Sequence, residues 1–517
     1  MAAFAGAALI SGFTMLREVD PFDEGLVLQA ARRVGEGQLP YADFLWAYGP
    51  AQPYVLAAVN ELSGVSLLDW RILRTLADAG VAATVFALVR RETDWRWALA
   101  AALVAACAMA QPRSANPFPY ALLPALLAFV IATGGARAST RRGVVAGALI
   151  GLAAGFRLDF AVYGGAAVLG ALALRSAART SDRWRLTGAA TATAAAVALA
   201  FYGPFLVAVG PGDLYEALIG TSLREADYWT LPFPLLYDGQ LRGWPPGALL
   251  RDLKDVLDFY VPLLLAIGVA IAVAATLIRA RDDRRSVWLP AGFVLFAGGA
   301  LVYMLSRTDE FHTPPLDVAL AVLLPIGAVG LLPGSSGSPP SRGRRALAGA
   351  MGVLLAVLVL QGVANRVSAL ALPPALAPVP VAVADGVKAP PDEAAALGRV
   401  VEIVQSRVPP GEPIYVLPRR SDLVRFSNPL VYVLTERTNP TSRDFGLLTS
   451  ASAQQDIIAA LERTRPRVLV RWNDTLSFQP EPNLRGQSSG VRPLDAFVAE
   501  RYRLLEPAGD YDLLVPR

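Results

Sequence analysis

A succession of long apolar runs leaves this chain few ways to fold. They lie at about Leu68–Val89, Trp95–Ala110, Tyr120–Ala132, Val144–Phe156, Phe160–Leu174, Leu186–Val209, Leu257–Ile278, Val287–Leu305, Leu316–Leu332 and Ala346–Val363. A helix crosses the hydrocarbon core in roughly 20 residues, so these runs can span it, several of them short or tilted. The apolar start, Met1–Leu16, is shorter than that and lacks the basic flank that opens a signal peptide. It reads as a truncated or mis-started first span, giving about eleven transmembrane helices. Only 17% of the 517 residues are charged and 54% are hydrophobic, whereas soluble domains carry about a quarter charged. The fold class expected is a polytopic α-helical membrane protein.

Arginine sets the orientation. Arg90, Arg91 and Arg96 fall on one face with Arg137, Arg141 and Arg142 when the runs alternate. Arg175, Arg179, Arg183 and Arg185 join them, then Arg279, Arg281, Arg284 and Arg285, and finally Arg342, Arg344 and Arg345. That face is expected to be cytoplasmic. The extracytoplasmic face then holds residues 17–67, 111–119, 157–159, 210–256, 306–315 and everything after Gln361. A membrane domain over 1–366, with outer loops 17–67 and 210–256, is followed by a Pro-rich linker, 367–391. Residues 392–517 gain charge, lose the long apolar runs and read as a soluble α/β domain. In it Glu393–Ser406 and Gln454–Arg463 are helix-like. Pro413–Leu417, Leu430–Leu434, Arg467–Arg471 and Tyr511–Val515 look like strands.

The net charge of +4 is small for this length, and nothing suggests a nucleic-acid surface. One cysteine, Cys107, excludes an internal disulfide framework, and one histidine, His312, excludes a multi-histidine metal site.

Four polar patches on the expected outer face can carry chemistry. In the first, Arg17–Pro53, three acids (Asp20, Asp23 and Glu24) crowd together before a helix. Asp20 suits the N-cap, Pro21 the first helical position, and Asp23 completes a capping-box spacing. Phe22, Leu26, Ala30 and Val34 recur at helical spacing, and Gly35 and Gly37 stop the helix before Pro40. This reads as an amphipathic helix on the membrane surface. The plainer account is that Asp23 only complements the helix dipole, although capping needs one acid and three are present.

The second patch is Arg157-Leu158-Asp159, a charge pair at the bilayer edge that is costly unless paired or used. A structural ion pair closing a helical hairpin would also explain it. The third, Ser306–Pro315, packs Arg307, Asp309, Glu310 and His312 into one short connection. Arg307 and His312 suit a phosphate group, the first by bidentate charge-assisted bonds, the second by donating from a ring nitrogen. In the fourth, 210–256, Tyr228, Trp229, Phe233, Tyr237 and Trp244 are interleaved with prolines. They form either an interfacial aromatic belt or a lid over a lipid-linked substrate. No Walker pattern, nucleophile elbow or phosphate-cradling Gly-rich loop stands out.

The order of these features resembles the GT-C superfamily of polyprenyl-phosphate-sugar-dependent glycosyltransferases. Within it the likeness is to the glycosyltransferase family 39-like group, related to protein mannosyltransferases. Asp23-Glu24-Gly25, Gly37-x-x-Pro40-Tyr41-x-Asp43-Phe44 and Gly49-Pro50 carry it, with Arg157-x-Asp159, Arg307-x-Asp309-x-x-His312 and Asn439-Pro440-Thr441. The missing basic N-terminus departs from the family pattern. The resemblance implies an integral membrane glycosyltransferase that moves a hexose or pentose, with inversion, from a polyprenyl-phosphate donor. The acceptor would be an extracytoplasmic glycan, lipid or protein of the cell envelope.

In that family an acid of the first outer loop is the general base. This points to Asp23, with Glu24 and Asp20 close by. Arg157, Arg307 and His312 would then steady the leaving phosphate, supported by Asp43, Asp159 and Asp309. The scheme calls for no cofactor and no metal, and its partners are the lipid-linked donor, the acceptor and membrane lipids. The alternatives are a transporter or flippase for a lipid-linked or small solute, and a non-catalytic envelope assembly protein.

Overall fold

The computed structural model describes residues 1–114, 116–134, 139–174, 180–234, 246–279, 288–331, 342–371, 375–424, 427–444, 447–478 and 481–517. Tyr237 and Trp244 of the aromatic loop lie outside them, as do Arg137, Arg175, Arg179, Arg281, Arg284 and Arg285.

Helices follow one another along the chain: Ala2–Gly12 (α1), Asp23–Gly35 (α2), Ala51–Ser63 (α3), Leu67–Arg90 (α4), Trp95–Met109 (α5), Phe118–Thr133 (α6), Thr140–Phe156 (α7), Leu158–Leu174 (α8) and Thr180–Ala208 (α9). Three short helices come next, Gly210–Tyr215 (α10), Thr221–Arg224 (α11) and Ala226–Trp229 (α12). Pro246–Arg279 (α13), Trp288–Ser306 (α14), Pro314–Leu331 (α15) and Arg342–Ala371 (α16) complete the membrane body. Among the described residues, four stretches are long and apolar enough to cross a membrane: Leu67–Arg90, Trp184–Ala208, Leu289–Ser306 and Arg342–Ala371. Shorter apolar helices stand between them, among them Trp95–Met109, Phe118–Thr133 and Pro314–Gly330. Close approach is built in where it is needed. A Cβ on Gly147 of α7 would lie 2.2 Å from the Ala190 carbonyl of α9, the tight small-residue contact typical of membrane helices.

The C-terminal α/β part begins with a two-stranded pair, Ala377–Pro378 (β1) and Lys388–Ala389 (β2). It continues with Pro391–Arg407 (α17), Tyr415–Pro418 (β3), Leu430–Thr435 (α18), Ala451–Thr464 (α19), Leu469–Trp472 (β4), Pro493–Arg501 (α20), Tyr502–Ala508 (β5) and Tyr511–Pro516 (β6). The sheet order is β3-β4-β6-β5, with β3 and β4 parallel and the other pairs antiparallel.

Three expectations change. Leu430–Leu434 is helical, not a strand. The Asn428 side chain accepts the Leu430 N–H at 3.1 Å, and all six residues of α18 are buried. A short apolar run buried on every side has no periodicity by which to tell strand from helix.

The second change concerns α2, whose amphipathic pattern does not leave a free polar face. Glu24 through Ala31 are all buried, because α3 packs on one side and α18 on the other. Its arginines bond across to the C-terminal part. Arg33 grips both oxygens of Asp444 at 2.6 and 3.0 Å, and Arg32 donates to the Tyr432 carbonyl at 2.5 Å. Leu26, Leu28 and Ala31 thus share one core with Val400, Val416, Val433, Val470 and Leu513.

Finally, the described part of the Pro-rich stretch is folded. Val379, Val381, Val383 and Val387 are buried, and the Lys388 N–H donates to the Leu16 carbonyl at 2.9 Å.

Candidate active site

The first turn of α2 is shaped by its acids. Asp20 accepts the N–H groups of Phe22 and Asp23 through one oxygen, both at 3.0 Å, bracing the turn that leads into the helix; the N-cap position itself is taken by Phe22, not by Asp20 as expected. Burial, with the charges of Asp23 and Glu24, pushes the Asp20 carboxyl up to about 7. Glu24 is fully buried. Arg71 of α4 donates to its two oxygens at 2.7 and 2.8 Å, and also to the carbonyls of Met15 and Glu18. This guanidinium fixes the whole entry segment onto α4.

One turn further along α4, Arg74 lies on the same face, as a spacing of three dictates. It donates to Asp78 at 2.8 Å and to the Ser114 carbonyl, and sits 5.2 Å over the Phe118 ring. Its Nη2 is buried and has no hydrogen-bond partner among the described residues.

Asp23 is held differently from either neighbour. It is partly buried, and among the described residues nothing donates a hydrogen bond to its carboxylate. Burial raises its carboxyl above the usual range. The charge of His312 pulls it back, Asp309 adds to the rise, and Arg74 and Arg307 oppose it. The first patch and the third therefore meet around Asp23.

The third patch is ordered by Asp309. One of its oxygens pairs with His312 Nδ1 at 2.6 Å and the other with Arg307 Nε at 2.7 Å. Burial alone would raise the Asp309 carboxyl, but His312 and Arg307 outweigh it and hold the group below its ordinary value. With Nδ1 engaged, the His312 ring is oriented and its Nε2 is left to the site. Arg307 also donates to the Trp229 carbonyl at 3.0 Å and to Glu481 at 2.9 Å. Asn483 reaches the Tyr228 carbonyl at 2.8 Å, and Arg485 stacks 4.7 Å over the Trp229 ring. The C-terminal part therefore clasps the described half of the aromatic loop against the His312 turn.

The Arg157–Asp159 patch adjoins the same place. Arg157 pairs with Asp159 at 3.0 and 2.7 Å, donates to Asn116 at 2.8 Å, and lies 4.9 Å over Tyr303 and 5.3 Å over Tyr48. The Tyr303 ring is in turn 4.9 Å from that of His312. Burial pushes the Tyr48 hydroxyl up to about 12, against the pull of Arg157, and the Asp23 and Asp159 charges push the same way as burial.

The structure thus gathers Asp23, Arg157, Asp159, Arg307, Asp309 and His312, with Asp20 just behind. It sets two candidates apart. Glu24 has both oxygens committed to Arg71. Asp43 is exposed and spends its carboxylate on the Leu39 N–H of its own turn, at 2.7 Å. Nothing local marked Arg74, Tyr48, Tyr303 or Asn116. The signal that could have found Arg74 is the run Arg71-x-x-Arg74-x-x-x-Asp78 inside an apolar span, since such charges are rare without a purpose. No group of three or more His, Cys, Asp or Glu side chains able to hold a metal ion occurs among the described residues.

Neither a protein-family model nor a curated protein sequence matches the chain. Solved structures do. The crystal structure of ArnT from Cupriavidus metallidurans bound to undecaprenyl phosphate superposes with a TM-score of 0.57 at 13% identity, over 99% of this chain and 97% of that one. The same protein in the apo state gives 0.55 at 13% identity, over 99% and 96%. At such low identity the likeness speaks for architecture, and it does so along nearly the whole length. The chain shares the architecture of those structures: a polytopic helical membrane body carrying a C-terminal α/β domain.

Proposed function

We propose that the chain is a membrane glycosyltransferase that moves a sugar from a polyprenyl-phosphate donor to an acceptor hydroxyl, with Asp23 as general base. The observation that carries this is the state of Asp23, a carboxylate without a hydrogen bond from any described residue, facing the charges of Arg74, Arg307 and His312. A base must have its lone pairs available, and a carboxyl raised by burial takes a proton more readily than one in water.

The chemistry follows from that placement. Asp23 takes the proton of the acceptor hydroxyl as its oxygen attacks the anomeric carbon from the face opposite the phosphate. The bond from that carbon to the phosphate oxygen breaks, its electron pair leaves on the phosphate, and the configuration inverts. The transition state has oxocarbenium character, as in glycoside hydrolysis. Departing negative charge is stabilised by preorganised donors. His312 Nε2 suits this best, since the ring is held through Nδ1, while Arg74 adds its charge from a buried position. Arg307, paired with both Asp309 and Glu481, holds the His312 turn in place. Arg157 is neutralised by Asp159 and acts as scaffold for Tyr48 and Tyr303.

In this reading the site lies on the same side of the membrane as the C-terminal domain, and the arginine distribution supports taking that side as extracytoplasmic. The test is transfer of labelled sugar from polyprenyl-phosphate donors in membranes containing the chain. Asp23→Asn should lower transfer by about 10²–10⁴-fold, the usual share of a general base. A folded Asp23→Asn protein with full activity refutes the assignment.

A further inference from the structure

Three described stretches set an arginine two residues before an aspartate: Arg157-Leu158-Asp159, Arg307-Thr308-Asp309 and Arg420-Ser421-Asp422. In the first and the last, the guanidinium closes on the aspartate that follows it. Arg157 puts Nε on one oxygen of Asp159 at 3.0 Å and Nη2 on the other at 2.7 Å. Arg420 does the same to Asp422, at 2.9 and 2.6 Å. Two parallel bonds between a planar fork and one carboxylate make a strong pairing, and this spacing produces it when nothing interferes.

The middle turn differs. Arg307 Nε reaches Asp309 Oδ2 at 2.7 Å, but its Nη2 is drawn off to Glu481 Oε1 at 2.9 Å. The other oxygen of Asp309 is thereby spared, and it meets His312 Nδ1 at 2.6 Å. Despite its burial, Asp309 is kept ionised by His312 and Arg307. An ionised carboxylate only accepts, so Nδ1 is the donor and the ring turns its Nε2 outward.

Glu481 is anchored independently of Arg307. It opens a tight turn in which the Asn483 side chain accepts the Arg485 N–H at 3.1 Å. A Cβ on Gly486 would fall 2.3 Å from the Glu481 carbonyl oxygen, so the turn admits no larger residue there. Asn483 ties it to the carbonyls of Tyr228 and Thr230 at 2.8 and 3.2 Å. Arg485 approaches the second Glu481 oxygen at 3.5 Å from above the Trp229 ring.

We propose that Glu481, in the C-terminal domain, is a positioning residue of the transfer site: it holds the Arg307 fork open so that Asp309 can orient His312. Without it the fork closes on Asp309, as in the two other turns, and the imidazole loses its hold. The role rests on the glycosyltransferase reading and deepens it, because the C-terminal domain then completes the site.

His312 is the only histidine of the chain. Histidine labelled with nitrogen-15 therefore gives a single ring to follow by NMR, in the purified full chain in lipid nanodiscs. The wild-type Nδ1 proton should be strongly downfield and slow to exchange. Glu481→Gln keeps the size of the side chain, but a neutral amide competes poorly with Asp309 for a guanidinium. In that variant the Nδ1 proton should move toward the free-imidazole position and exchange faster. Transfer from polyprenyl-phosphate donors should fall about 10–10²-fold, the cost of a misplaced group. Glu481→Ala should behave alike, which guards against a folding defect peculiar to one variant. Adding Arg307→Lys to Glu481→Gln should bring the downfield proton back, since an ammonium lacks the planar fork. A merely structural ion pair would shift the unfolding temperature and leave the ring signal alone. An unchanged ring in both Glu481 variants, or one that lysine does not restore, overturns the proposal while leaving the transferase reading intact. If the ring responds but the wild-type chain transfers no sugar, the transferase reading falls and takes this role with it.

Discussion

Arg71 grips Glu24 through two hydrogen bonds, of 2.7 and 2.8 Å, between side chains wholly shut off from solvent. Successive residues of a helix point about 100° apart. Anchoring Glu24 to α4 therefore turns Asp23 away, toward the His312 turn. Breaking one side of such a buried pair leaves an uncompensated charge and costs about 3–5 kcal/mol. Glu24→Gln should accordingly lower the unfolding temperature sharply, and Glu24→Gln with Arg71→Met should recover much of the loss. Thermal unfolding in detergent checks this. A Glu24→Gln protein of undiminished stability that has lost transfer would make Glu24, not Asp23, the reacting carboxylate.

The pH dependence of transfer should report Asp23. Its carboxyl is raised by burial and must be ionised to act, so activity should climb with pH through a value above the ordinary carboxylate range of about 4. His312 lowers that value, so His312→Gln should move the acid limb of kcat/KM further up. A limb that stays put in the variant would separate the two groups electrostatically.

A second titration concerns the seam between the membrane body and the C-terminal domain. Burial pushes Glu393 from 4.5 up to about 7, with Asp474, Glu18 and Asp510 adding to the rise and Arg113 opposing it. A carboxyl raised in the folded state binds its proton more tightly there. Its contribution to stability is full below about 4.5 and is lost as pH rises through about 7. Glu393→Gln should flatten the fall in unfolding temperature over that window. An unchanged slope would show that the group does not sense the seam.

Gly25 offers a steric test. A Cβ there would fall 2.2 Å from the Leu430 backbone nitrogen, and backbone cannot swing aside as a side chain can. Gly25→Ala should cost about 1–3 kcal/mol through overpacking, and loosen α18 from α2. Limited proteolysis between residues 375 and 391 would reveal the loosening. Wild-type resistance in the variant would mean the contact is slack.

The apolar runs announced the membrane helices because hydropathy is a local property, and the motif order was enough to suggest the GT-C fold. The cluster Arg307, Asp309 and His312 was legible for the same reason, all three lying in one short turn. What stayed hidden depends on distance along the chain. Arg33 finds Asp444 across 411 positions, and no window of sequence shows that α2 is walled in by α18. Arg74 escaped notice because a few charges inside a long apolar run are outvoted by their neighbours, although Asp78 and Phe118 make this one affordable there.

The interlocking of α2 with α18 and Asp444 bears on how this protein can be taken apart. Cutting the chain near residue 375 would not release a self-sufficient soluble module, for its hydrophobic interior includes Leu26, Leu28 and Ala31 from the other end of the polypeptide. Anyone preparing a water-soluble fragment for antibodies or crystallisation would need to graft residues 17–67 onto it, or accept an open, sticky groove where that helix used to rest.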